Sequence, residues 1–252
     1  MKRAHIAFSI CILVGLSATS GRAEDFKAVK KAIHDKISKL ESFSYKMHST
    51  QDMNNPSYQS KTVSDAAIEY VRKGGKVLYR TEMNTKMDVK MGDTEQKTDM
   101  KMIAVHDGEY TWSYSENNGQ KSATKQKGDP AAAMNPFDAL TSFKESEKMF
   151  AIKALPEEKV DGKACWVLEM MPKDESMKQF TGRTLAYYDK ETGISLKIVA
   201  HDPQGKVMST TTMTELKTNP SISPDRFKFT PPAGVEVMEI PAQTATPAKK
   251  ES

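Results

Sequence analysis

Methionine dominates the side chains that could do selective chemistry in this sequence. The chain carries 16 methionines, and Met83, Met87, Met91, Met100 and Met102 crowd into one short stretch. A thioether on a flexible, unbranched stem is apolar yet polarisable, so a surface of them adapts to acyl chains of different shapes. Thioethers are also soft ligands that suit Cu(I). Along one extended strand Met83 and Met87 are roughly 13 Å apart, too far to share an ion. A metal site would need cross-strand partners such as Met87 and Met102, with His106 nearby. His34, His48 and His201 are scattered without ligand spacing. No metal and no cofactor is therefore expected.

Tyr110, Trp112 and Tyr114 alternate with Thr111 and Ser113, so three aromatics share one face of a strand. They either pack in the core or stand in the wall of an apolar cavity, where an amphipathic ring meets a ligand's polar head. The methionine face has the same two readings: it packs under a covering helix, or it lines a lipid-binding surface. On the second reading the lining comprises Tyr79, Met83, Met87, Val89, Met91, Met100, Met102, Tyr110, Trp112 and Tyr114. Enzymatic activity is not expected. The sequence has no Gly-x-Ser-x-Gly elbow, no phosphate-cradling glycine loop and no paired-histidine zinc motif. Cys165 sits in the apolar run Ala164-Cys165-Trp166-Val167-Leu168 and reads as a buried, inert thiol.

The elements that must position these residues are legible from periodicity. Phe26, Val29, Ile33, Ile37 and Leu40 recur at spacings of three and four, one stripe of an amphipathic helix that Asp25 can cap. From Phe43 the period shifts towards two. From Val77 to Met91 the odd positions are apolar or Thr, while the even positions from Arg80 to Lys90 are all charged or amide. That is a long strand of an antiparallel sheet with one solvated face. Gly92-Asp93-Thr94-Glu95 supplies a turn, and Met100, Met102 and Ala104 resume the alternation. A hairpin register that keeps both methionine faces together can set Met87 opposite Met102 and Val89 opposite Met100; a one-residue slip would separate them. Further strands are expected over 109–115, 164–171, 183–189, 194–200 and 207–217. A helix broken at Pro136 is expected between Asp129 and Lys148, and Lys173–Thr181 reads as a loop.

Lys2 and Arg3 precede an apolar stretch from Ile6 to Leu16 and a small-residue exit at Gly21-Arg22-Ala23. This predicts a cleaved export signal over 1–23. The apolar stretch is about half the roughly 20 residues a spanning helix needs. Cys11 lies inside it, so lipid attachment there is not expected. The full chain has 37 basic and 33 acidic residues, and Lys2, Arg3 and Arg22 leave with the leader. The remaining charge is nearly balanced, which argues against nucleic-acid binding. Cys165 is the one cysteine left, so no internal disulfide is possible. After Ile240 the sequence is too polar to bury a core, and 241–252 is expected to be a disordered tail.

The order of the later signals resembles a known family. Asp107-Gly108 precedes Trp112 and Tyr114. Tyr188-Asp189-Lys190-Glu191-Thr192-Gly193 and Asp202-Pro203-Gln204-Gly205-Lys206 follow. The stretch ends with Asn219-Pro220-Ser221-Ile222, Phe227-Lys228-Phe229 and Pro231-Pro232-Ala233-Gly234. Over 24–240 this resembles the LolA-like outer-membrane lipoprotein carrier and sorting proteins. The resemblance implies an α+β domain: an antiparallel half-barrel sheet of about ten strands, with the N-terminal helix and further helices over a concave apolar face. It implies a monomeric, non-catalytic periplasmic carrier of lipid or acylated lipoprotein, working with inner- and outer-membrane sorting components. The alternative is a sensory or regulatory domain on the same fold that binds another envelope protein. The family's lid-closing arginine has its nearest counterpart in Arg80, which the alternation places on the polar face.

Overall fold

A computed structural model of the chain describes residues 25–55, 58–130 and 135–241. The expected leader, the tail beyond residue 241 and the Ala131–Ala133 part of the expected helix lie outside the described residues. The chain opens with helix α1 (Phe26–Ile37), whose first turn is capped by the Asp25 carboxylate accepting from the Lys27 N–H. Val29, Ile33 and Ile37 form its buried stripe, each contributing about 1.5–3 kcal/mol by leaving water.

Six strands follow as an up-and-down meander: β1 (Ser42–Asn55), β2 (Tyr58–Lys73), β3 (Lys76–Met91), β4 (Thr94–His106), β5 (Tyr110–Asn117) and β6 (Gln120–Lys127). Helix α2 (Ala139–Met149) leads into a second meander of β7 (Phe150–Val160), β8 (Lys163–Pro172), β9 (Thr184–Asp189), β10 (Ser195–His201) and β11 (Val207–Thr218). A one-turn helix α3 (Glu175–Lys178) interrupts the loop before β9, and β12 (Val237–Ile240) closes the described chain. All twelve strands form one sheet in the order β12-β6-β5-β4-β3-β2-β1-β11-β10-β9-β8-β7. The sheet is open, with β12 and β7 at its edges, and is consistent with a half barrel. Twelve strands stand where about ten were expected. β6 reads Gln-Lys-Ser-Ala-Thr-Lys-Gln-Lys and β12 has four residues, so neither carries an alternation strong enough to announce itself.

Tight turns set the registers. Asn118-Gly119 and Asp161-Gly162 have positive φ at both residues, the conformation that matches strand twist in two-residue hairpins. Between β3 and β4 the turn is only Gly92-Asp93, because Met91 already pairs with Thr94. Met83 therefore faces Met102, and Thr85 faces Met100. The expected pairing of Met87 with Met102 is corrected by this short turn. The parity holds, so both methionine sets still share one face.

The topology sends two long segments across the sheet, one on each face. The link from β6 to β7 joins opposite regions of the sheet and carries α2 over α1. Together α1, α2 and Phe137 seal an inner-face core with Phe43, Trp166, Leu168 and Ile194. Phe137 meets Phe43 with ring centroids 5.1 Å apart, and Phe143 meets Phe26 at 5.8 Å and Tyr188 at 5.7 Å. Arg72 donates to the Ser38 carbonyl at 2.8 Å, tying the end of α1 to β2. The second segment, from β11 to β12, crosses the outer face.

Candidate functional site

The pairing registers arrange the inner face in rows perpendicular to the strands. Nearest the helices is an aromatic row in which Phe43 pairs with Tyr70, Tyr70 with Tyr79 and Tyr79 with His106. The next row contains Tyr45, Ile68, Thr81 and Ala104. Then comes a methionine row: Met213 pairs with Met47, Met47 with Ala66, Ala66 with Met83, and Met83 with Met102. A hydroxyl-rich row follows, with Ser49 bonded to Thr211 and Ser64 to Thr85, both at 2.9 Å. Four residues separate the aromatic from the methionine row along β3, roughly 13 Å at strand rise.

Between the aromatic row and the link from β6 to β7 lies a cavity of about 330 Å³, lined in part by Tyr70, Val77, Tyr79, His106, Asp129 and Asn135. The Tyr79 hydroxyl donates to the Asp129 carboxylate at 3.3 Å. The Tyr79 ring stacks on His106 with centroids 5.6 Å apart. Burial, with the Asp129 charge adding to it, pushes the Tyr79 hydroxyl up to about 12, and the same two causes raise Tyr70. Both phenols are therefore neutral donors across the physiological range. His106 is buried, with Nδ1 within 3.0 Å of the Thr111 hydroxyl and 3.1 Å of the Tyr110 carbonyl. This wall offers ring faces and a few polar atoms. The methionine floor beyond it offers only apolar and hydroxyl groups.

Neither apolar core cluster includes a methionine. Met47, Met83, Met87, Met100, Met102 and Met213 are each part-exposed, and Met91 is exposed. Among the described residues, the helix-sealed core therefore does not take in these side chains, the first of the two readings of the pattern. A larger groove of about 560 Å³ lies at the far hairpin tips. Its walls are mostly charged or amide side chains such as Asp52, Lys61, Asp88 and Lys97, so it offers little to an apolar ligand.

Of the lining residues read from the sequence, Tyr79, Met83, Met87, Val89, Met91, Met100 and Met102 share the inner face. Tyr110, Trp112 and Tyr114 do not. His106 pairs with Thr111, Val105 with Trp112 and Ile103 with Tyr114, which turns the three aromatics to the outer face. The cause is the turn after His106, where the Asp107 carboxylate accepts the N–H groups of Glu109 and Tyr110 at 2.8 and 2.7 Å. On that face Phe229 lies 6.0 Å from Trp112 and 6.4 Å from Tyr114, and the Lys125 ammonium sits 4.2 Å over Tyr110. Arg226 holds the crossing segment down, pairing with Glu69 at 2.8 Å and Glu82 at 3.1 Å. Arg80 also lies on this face, donating to Glu82 at 2.6 Å and to the Arg226 carbonyl at 3.2 Å. It thus lies on the face opposite the helices and the cavity. Tyr70 and His106 were missed as lining residues. A signal existed for both: each lies on the apolar parity of its strand.

An open, mostly antiparallel sheet with helices over one face and part-exposed methionines beyond them defines a LolA-like fold. The chain belongs to the MucB/RseB N-terminal domain family, whose pattern matches residues 32–231. Among curated proteins, an outer-membrane lipoprotein carrier protein of Nitrosomonas europaea is 30% identical over 136 residues, 54% of this chain and 61% of that one. An uncharacterized protein of Methanocaldococcus jannaschii is 30% identical over 148 residues, 58% of this chain and 40% of the other. The chain thus spans less than two thirds of the length of either relative. A conserved protein of Thermus thermophilus shares the fold at a TM-score of 0.50 and 12% identity, covering 85% of this chain and 98% of its own. The Pseudomonas aeruginosa MucA/MucB complex matches at a TM-score of 0.48 and 16% identity, covering 81% of this chain and 60% of the other.

Proposed function

We propose that this protein is a non-catalytic periplasmic binding domain that holds lipid, or the acyl chains of a lipoprotein, on the inner face of its sheet. The observation that carries the reading is the in-register row Met213–Met47–Ala66–Met83–Met102, apolar, with its four methionines part-exposed and outside the helix-sealed core. Acyl chains on this floor would gain roughly 0.8 kcal/mol per buried CH₂. Tyr70, Tyr79 and His106 in the adjoining cavity would meet a polar head group. Flexible thioethers suit a floor that must fit more than one chain. The likeness to a lipoprotein carrier supports the class of ligand, and the family supports the compartment. Sorting of outer-membrane lipoproteins is the specific task that follows from this reading.

Native mass spectrometry of protein exported from a bacterial envelope, followed by organic extraction, tests it. Added mass that matches an extracted lipid is the expected result. A second test is Met83→Glu, which places a charge in the middle of the floor and should weaken lipid uptake in a folded protein. An apo mass that persists after incubation with liposomes and with an acylated peptide would overturn lipid binding. That outcome would favour the second reading, a regulatory domain that binds another envelope protein. Membership of the MucB/RseB family supports this second reading, and a crosslinked partner in place of lipid would distinguish it.

A further inference from the structure

We infer that the methionine floor also forms a soft-metal site, specific for Cu(I), built from Met83, Met100 and Met102. Met83 and Met102 are direct partners across β3 and β4. Met100 lies two residues along β4 on the same face, diagonal to Met83, because its own partner is Thr85. Directly opposed Cβ atoms in such a ladder are roughly 5 Å apart and diagonal neighbours roughly 7–8 Å. A methionine places its sulfur two bonds beyond Cβ on rotatable links, so three sulfurs can converge over the ladder.

The chemistry of the donors selects the ion. Thioether sulfur is soft and neutral, which favours Cu(I) over harder divalent ions. Among the described residues no group of three His, Cys, Asp or Glu side chains is placed to hold a metal, so the usual ligands of such ions are not gathered here. Thr81, Ala104, Thr85 and Thr98 surround the three methionines on the same face. None is charged, so no lysine or arginine among them repels a cation. The part-exposed state of Met83, Met100 and Met102 leaves the sulfurs open to an arriving ion. Apolar packing alone would be served by leucine or the better strand-forming valine and isoleucine. A second opposed pair, Met47 and Met213, lies across Ala66 in the same row.

The site shares the methionine floor with the lipid reading but needs sulfur where lipid needs only apolar area, so the two are tested by different measurements. Met→Leu removes sulfur while keeping nearly the same apolar volume. The folded protein is titrated anaerobically with Cu(I), supplied as its acetonitrile complex, against the chelator bicinchoninate. Ag(I) serves as a redox-inert probe in native mass spectrometry. The expected result is one Cu(I) held per chain, with an all-sulfur first shell in X-ray absorption. In M83L/M100L/M102L the affinity should fall by more than the roughly 100-fold that loss of an outer-shell partner can cost, with the thermal midpoint little changed. The single variant M102L should fall in the same direction. Failure to hold Cu(I) against the chelator would overturn the inference. So would unchanged affinity in the triple variant, or loss of binding in M47L/M213L alone.

Discussion

The two faces of strands β3 to β6 both carry apolar side chains, and these meet opposite fates. On the outer face Val105, Tyr114 and Ala123 are buried, sealed by the crossing segment with Phe227 and Phe229. On the inner face Met83, Met87, Met100 and Met102 lie part-open, beyond the reach of α1 and α2. The difference teaches what makes an apolar strand face into core or into a binding surface. It is whether the chain returns to cover it, a decision made more than a hundred residues away. The residues themselves follow suit. Rigid aromatic rings lie under the segment that seals, and flexible thioethers line the face left free.

The largest effect expected from this contrast is at Phe227, which is only 3% exposed. Phe227→Ala should cost about 3–5 kcal/mol in urea unfolding. Met83→Ala, on the open face, should cost about 1 kcal/mol or less. Equal costs would mean that the inner face is sealed in solution, and the contrast would fall. A smaller loss is expected at Gly193, where α1 rests on the sheet. Its φ is +76°, and an added Cβ would lie 2.8 Å from the Ile33 carbonyl oxygen and 3.0 Å from Lys36 Cβ. Gly193→Ala should cost roughly 1–3 kcal/mol and speed hydrogen exchange in α1, leaving the outer segment protected. Exchange rising equally on both faces would show that the two coverings unfold as one unit.

Acid should act on the outer covering first. The Arg80 guanidinium bonded to Glu82, with Arg226 beside it, holds the Glu82 carboxyl below its ordinary value of 4.5. A depressed folded-state value means the stabilisation is fully present above the unfolded value and is lost as pH falls through the folded one. Lowering pH from about 5 to about 3 should therefore loosen the contact of Phe229 with Trp112, read from near-UV circular dichroism, and Glu82→Gln should flatten that transition. The smallest expected effect is none at all. In a Trp166→Phe background, lipids brominated on the acyl chain should leave Trp112 emission unquenched. Strong quenching would move the ligand to the outer face and invert the comparison.

Much of this molecule can be read without coordinates. The three-and-four spacing of Val29, Ile33 and Ile37 marks α1, and Asp25 caps it as its side chain allows. The alternation from Val77 to Met91 marks β3 and puts its methionines on one side. Strands β8 to β11 appear within a residue or two of their expected spans. Within a strand the side chains alternate by geometry alone, so composition at every second position reports a face. β6 escaped because its polar sequence is held by hydrogen bonds to β5 rather than by burial of its own. Tyr110, Trp112 and Tyr114 were placed correctly on one face of their strand. Which face that was depended on how His106 pairs with Thr111, a matter of turn geometry.

Sequence by itself determined α1, β3 and β8 to β11, the shared face of Met83, Met87, Met100 and Met102, and the burial of Cys165. Tertiary structure alone decided that Met83 faces Met102, that a methionine row runs from β11 through β1 and β3 to β4, and that these methionines stay part-exposed beyond the helices. The physical reason is one of range. Side-chain alternation is a local consequence of backbone geometry, whereas register is set by the turns between strands and coverage by segments that return across the sheet.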